Sequence, residues 1–196
     1  MGRTQAYDRG EVVRAARGVF WEQGFDGAPL PELERVTGLN RSSIYHAFGS
    51  KRGLFDAAVQ SYLDEIVRPR LAPLTGSAVA PAAIEDYLRG LRNALGRSRS
   101  LPGSSGCLLV NSAAAPIGRD DAVAQVVSDY RAELRAAFGR GVVARRPDLS
   151  AGDAATLADA CTGLVISAFA LVRVDTAGAV DAIGTAIALV AGSPRS

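Results

Sequence analysis

The residues able to do chemistry crowd into one stretch, Arg41-Ser42-Ser43-Ile44-Tyr45-His46-Ala47-Phe48-Gly49-Ser50-Lys51-Arg52. Arg41, Ser42, Ser43, Tyr45, His46 and Lys51 can each donate a hydrogen bond, and no acid lies between Arg41 and Phe55. Such a surface suits phosphate oxygens and the base edges of a major groove. It suits catalysis poorly. His46 is the only histidine, so the commonest general base is nearly absent, and no Ser-His-Asp or Cys-His arrangement is formed. Glycine-rich phosphate loops and metal-ligand spacings are missing as well. The chain reads as a binding protein and not an enzyme, with neither cofactor nor metal expected.

The flanking residues must present that surface, and they read as helix, turn, helix. Leu30, Leu33 and Val36 repeat at i, i+3, i+6, the mark of a one-faced helix. Gly38 suits the left-handed backbone just past a helix end. Leu39 can fill the gap between the helices, and Asn40 is a favoured N-cap for the next one. Arg41 to Phe48 makes that helix, with Ile44 and Phe48 inward and Ser42 and His46 outward. Tyr45 borders the inward face, as a core aromatic or a phosphate contact. Ser50 caps a further helix, which puts Lys51 and Arg52 in its first turn. Positive charge there opposes the helix dipole, unless a phosphate lands on the free amides. Helix, glycine turn, helix is the layout of a DNA-binding unit. The bland alternative is a solvated hairpin whose polar face happens to be basic.

The run from Gly38 to Lys51, followed by Leu54-Phe55, resembles the signature of TetR-type bacterial transcriptional regulators, and so does Phe20-x-x-x-Gly24-Phe25 before it. The resemblance implies an all-α homodimer. Residues 1–52 would form a three-helix domain bound to a double-stranded DNA operator, with a connecting helix at 51–67. Residues 53–196 would bind a small effector and carry the dimer interface. By the same likeness Lys51 and Tyr45 resemble phosphate contacts, and Arg41, Ser42 and Ser43 suit base edges. One departure is visible at Pro29, where such sequences commonly start the second helix with Ser or Thr. Proline brings no hydroxyl and no amide proton to a phosphate there. A second, shorter run, Gly106-Cys107-Leu108-Leu109-Val110-Asn111-Ser112, resembles a segment that recurs in one TetR subgroup.

The rest of the chain is consistent with one helical protein. It has 196 residues, 48% hydrophobic and 21% charged, with abundant alanine, a composition of soluble helical proteins. A net charge of +2 is too small to argue for nucleic acid globally, so the positive surface must be local. Lys51 is the lone lysine among 22 basic residues. Cys107 and Cys161 form no metal or redox spacing; they read as buried hydrophobes, with a thiol switch at Cys107 the alternative. No signal peptide is evident. The uncharged stretches Ala160–Val172 and Ala182–Pro194 run to about 13 residues, short of the roughly 20 of a membrane span. A cytoplasmic protein without membrane contact is expected.

Taken in order, residues 1–7 are a polar arm whose Arg3 and Thr4 could touch DNA, or simply fray. Asp8 caps a helix with Val12, Val13, Ala16, Val19 and Phe20 inward, ended by Gly24. The helix from Lys51 buries Leu54, Phe55, Ala58, Val59, Tyr62, Leu63 and Ile66 and reaches about Val67, before Pro69 and Pro73. It is the natural lever between domains, and Arg68 to Ala80 the natural boundary. Pro81 opens a helix through Leu95, Arg97 to Gly106 reads as a loop, and Cys107 to Ala115 as a short apolar helix. Asp120 or Asp121 caps the next. The last two helices, Ser150–Val172 and Thr176–Ala191, are apolar on nearly all sides, so about nine helices are expected in all. One domain cannot hide both, which predicts burial against a second copy, with Gly163, Gly178 and Gly184 allowing close approach. An effector between the fifth, seventh and eighth helices would meet Tyr87, Leu91, Val110, Tyr130, Phe138 and Phe169. Few polar groups lie there, so an apolar or aromatic ligand is expected; the same positions also read as plain core. Control by a protein partner or by oxidation of Cys107 is the alternative.

Overall fold

The computed structural model describes residues 7–97 and 100–192. The Arg3 and Thr4 arm, part of the 97–106 loop and the end of the stretch to Pro194 lie outside the described residues. The chain divides into two compact units, Met1–Val67 and Arg68–Ser196. Every regular element among the described residues is helical.

In the first unit, Asp8 opens α1 (Arg9–Gly27) by accepting from the amides of Gly10 at 2.7 Å and Glu11 at 3.3 Å. Gly24, at φ 74°, breaks the coil in a conformation glycine adopts without penalty. Phe25 follows it, its ring 5.2 Å from that of Phe55 and 6.3 Å from that of Phe20. Then come α2 (Leu30–Thr37), α3 (Arg41–Phe48) and α4 (Lys51–Tyr62). Val12, Ala16 and Phe20 meet Leu33, Ile44, Leu54 and Phe55 in one core, all buried. Each large side chain contributes about 1.5–3 kcal/mol by burial. That packing holds α2 and α3, eight residues each, which are too short to persist alone.

The expected stop before Pro69 is not what the backbone does. Regular α-helix ends at Tyr62, but a π turn, Leu63–Val67, passes the chain into α5 (Arg68–Thr75), with Pro73 inside it. In an unbroken α-helix the Pro69 ring would meet the carbonyl of Glu65; the wider turn just before it relieves that clash. Arg17 braces the turn by donating to the Ser61 carbonyl at 3.1 Å, its hydroxyl at 2.8 Å and Glu65 at 2.9 Å. Through that contact Arg17 holds the Glu65 carboxyl below its ordinary range. The proposed boundary segment therefore begins as helix, and only residues 76–82 are irregular.

The second unit continues with α6 (Ala83–Leu95), α7 (Leu101–Ser105), α8 (Leu108–Ala114), a 3-10 turn at Pro116–Arg119, α9 (Asp121–Arg145), α10 (Ala151–Leu171) and α11 (Thr176–Ala191). The single turn of α7 falls inside the expected loop, capped by the Ser100 hydroxyl on the Gly103 amide at 3.2 Å. Asp120 is the residue that caps α9. Helix α10 packs on α9 and α11, α11 also on α6, and α9 on α5. Gly141 lets α9 come close: a Cβ there would lie 2.8 Å from both Ile84 and Leu74 side-chain atoms. With Lys51–Thr75 taken as one run and the turn of α7 left out, nine helices stand among the described residues.

Two readings of the last helices need correcting. Gly178 serves its own helix cap, since a Cβ there would lie 2.2 Å from Asp175 Oδ2; Gly163 and Gly184, expected to face a second copy, have open space around them within this chain. And α10, 21 residues that include an 18-residue stretch of mean hydropathy 1.7, is long and apolar enough to cross a membrane by length and composition. The uninterrupted uncharged stretch underestimated it. Its inner face, with Ala154, Ala158, Cys161, Val165 and Phe169 buried, is that of a core helix.

Candidate nucleic-acid interface

Local sequence fixes α3 at both ends. Gly38, at φ 69°, closes α2, and the Asn40 side chain accepts from the Ser43 amide at 2.9 Å to start α3. Gly49, at φ 78°, ends it. Ile44 is fully buried, which sets the opposite face outward. Arg41, Ser42 and His46 are exposed there, and Ser43 and Tyr45 are half-buried on its flanks. The Arg41 guanidinium lies 5.2 Å from the Tyr45 ring centroid. Five of the six donors thus lie on the outward side and flanks of α3, and the sixth, Lys51, opens α4.

Ser50 caps α4 by accepting from the Gly53 amide at 3.1 Å. The two cations of that first turn are held differently. Arg52 pairs with Asp56 at 2.7 Å. Lys51 holds its ammonium 4.7 Å above the Phe25 ring, a contact worth about 0.5–1 kcal/mol at an exposed site. That leaves a point charge aimed from a fixed platform and no carboxylate in the turn itself. At Pro29, which caps α2 without any side-chain hydrogen bond, the missing hydroxyl is a fact of the structure.

Three contributors were not legible in the sequence. Phe25 stands in the Gly24-Phe25 pair, yet nothing there says that its ring would carry Lys51. Glu34 of α2 accepts from the Arg41 backbone amide. Arg9 of α1 donates to the Ala47 carbonyl at 2.8 Å and lies 4.3 Å over the Phe48 ring. These contacts join residues far apart in periodic pattern, so only the packed chain reveals them.

The six positions named for an effector lie in the second unit on α6, α8, α9 and α10. Leu91, Tyr130, Phe138 and Phe169 are buried, and Tyr87 and Val110 half-buried. The Tyr87 and Phe138 rings meet edge to face at 5.3 Å. Cys107 Sγ lies 3.8 Å from the Tyr130 hydroxyl. Burial, and next the neighbouring Cys107, push the Tyr87 phenol above its ordinary range. Cys161 is buried too, and its thiol is pushed up to about 11 for that reason. Gly106, at φ 67°, leaves room for the Phe169 carbonyl, 2.3 Å from where a Cβ would sit. The Phe169 backbone therefore borders the start of α8.

Known proteins share this arrangement. Residues 12–58 match the family described as bacterial regulatory proteins, tetR family. YezE of Bacillus subtilis (strain 168), an HTH-type transcriptional regulator, is 32% identical over 143 residues, 73% of this chain and 72% of YezE. ComR of Escherichia coli (strain K12), an HTH-type transcriptional repressor, is 29% identical over 57% of this chain and 52% of its own. Among solved structures, a cysteine variant of the regulator CifR in complex with 26-base-pair double-strand operator DNA superposes with a TM-score of 0.77. It is 28% identical, over 94% of this chain and 98% of that one. The matched segment spans α1 to α4 and contains the whole donor ridge, and the likeness to YezE runs well beyond it. The chain belongs to the TetR family of helix-turn-helix, DNA-binding transcriptional regulators.

Proposed function

We propose that the protein is a homodimeric repressor that reads a two-fold symmetric operator and is released from it by a small apolar or aromatic effector. The observation that carries the DNA half is the exposed donor ridge of α3, continued by Lys51 on its Phe25 platform. Arg41, Ser42 and Ser43 meet base edges, Tyr45 and Lys51 meet phosphates, and His46 contacts the DNA from the same helix. Each α3 enters a major groove, with half-sites about 34–36 Å apart or a multiple of that. The name of ComR and the operator complex of CifR support the reading by analogy.

Dimerisation is supported by what α10 and α11 leave uncovered. Thr156, Ala160, Gly163, Ser167 and Ala170 recur at helical spacing along the exposed side of α10. Leu171, Val174 and Leu189 are exposed large hydrophobics of the same two helices and their connection. Small residues along one helix side, with exposed large hydrophobics on the same pair of helices, suit burial against a second copy. The effector half rests on the Tyr87–Phe138 ring pair and on Tyr130, which lies on the same helix as Phe138 and meets Cys107. A second reading places control at Cys107, favoured by its 3.8 Å approach to Tyr130; peroxide would oxidise the thiol to a sulfenic acid with loss of water. Full burial of Cys107 weighs against it.

The ridge is tested by Lys51→Ala. Because a phosphate contact carries no sequence information, the variant should weaken all operators alike and flatten the salt dependence by about one unit. A changed sequence preference with an unchanged salt slope overturns the role. Release of operator by peroxide but not by apolar metabolites would move control to Cys107.

A further inference from the structure

We propose that Glu34 and Arg9 are positioning residues that grip the two ends of α3 and so set the angle at which the ridge meets DNA. The inference rests on α3 being the reading helix. With eight residues, α3 cannot fix its own geometry. Its ends are held from two other helices. At the start, the Glu34 carboxylate accepts from the Arg41 amide. Glu32, its neighbour on α2, is instead taken up by Arg35 at 2.6 Å. At the end, Arg9 donates to the Ala47 carbonyl at 2.8 Å and stacks on Phe48 at 4.3 Å.

The signs match the helix dipole at each end, an anion at the start and a cation at the finish. Arg9 makes the point sharply. It is the first residue of α1, where a cation opposes the dipole of its own helix, and its guanidinium reaches the end of α3, a terminus that favours it. Glu34 also places negative charge at the first free amide of α3, so a phosphate is disfavoured there. The start of α4, with Lys51 and no acid in its first turn, is left as the anchoring point. The two helix starts therefore divide the work: one is fixed to the protein, the other is open to the backbone of the duplex.

The test uses the full chain, Arg9→Gln and Glu34→Ala, with Glu34→Gln as the variant that keeps the acceptor oxygen. In the free protein, amide exchange in α3 should quicken about tenfold in the first two, while α1 and α4 keep their protection. Affinity for a duplex chosen from a random library should fall about tenfold in both, with the salt slope unchanged and affinity for random duplex within about twofold. Glu34→Gln, which keeps the acceptor but not the charge, should fall between Glu34→Ala and the unsubstituted protein on both measurements. Unchanged α3 exchange in Arg9→Gln and Glu34→Ala overturns the proposal whatever the DNA result. A slope lowered by one in Arg9→Gln, with both duplexes weakened alike, makes Arg9 a phosphate contact instead. Quickened exchange in a protein that ignores every duplex overturns the DNA reading, and with it the role in docking, but leaves the two clamps standing.

Discussion

Gly53→Ala is expected to weaken operator binding severely and to lower the melting temperature of the first unit. A Cβ at this position would lie 1.9 Å from the Phe48 carbonyl oxygen and 3.1 Å from its carbon. Both are backbone atoms, so no side chain can swing aside. Either α3 or α4 must move by more than an ångström, and overpacking of this kind costs about 1–3 kcal/mol. The displacement falls between the donor ridge and Lys51, so operator affinity should suffer more than stability does, by about 100-fold or more where phosphate and base contacts must be made together. Gly18→Ala is the control. A Cβ there meets nothing within 4 Å, and alanine in a helix interior is favoured over glycine by about 0.5–1 kcal/mol. Thermal unfolding and duplex titration of the two variants check the contrast. Intact binding by Gly53→Ala contradicts the described packing of α3 against α4.

Gly163→Arg is expected to split the dimer and leave each subunit folded. Gly163 is exposed on α10 and a Cβ there meets nothing in its own chain. A charged side chain therefore costs the monomer little, but in a partner interface it would be buried unpaired. The mass by sedimentation should halve. Operator affinity should drop by about 10²–10⁴, the gain that linking two reading heads supplies, while helix content by circular dichroism stays as before. A dimer that survives the substitution with its affinity intact puts the interface elsewhere.

How much could be read from the chain follows from what carries each feature. The bounds of α3 were legible because Asn40, Gly38 and Gly49 are local signals, each acting within a few residues. Helices α10 and α11 were legible for the opposite reason, since uniform apolarity between two caps leaves few alternatives. The passage through Pro69 was not. A π turn depends on how Arg17 and Glu65 brace it, and no propensity scale reports that. The single turn of α7 hid in a serine- and glycine-rich stretch because its stabilisation comes from one cap.

The interface divides along the same line. Which donors face outward on α3 follows from helical periodicity and needed no structure. How they are held does not. Phe25 under Lys51, Glu34 at the Arg41 amide and Arg9 over Phe48 are tertiary contacts, made between helices whose apolar patterns are silent about them. In the second unit the aromatic positions were found, and the edge-to-face meeting of Tyr87 with Phe138 is their packing. Periodicity marks such residues as inward; it does not distinguish a ligand's wall from a core.

Selection of bound sequences from a random duplex library, followed by the mass of the complex, separates a paired reader of DNA from a single one. The expected result is an inverted repeat whose halves lie about one helical turn apart or a multiple of it, bound by an even number of subunits. Enrichment of a single unrepeated site held by one subunit, or no enrichment in dilute salt, would contradict it.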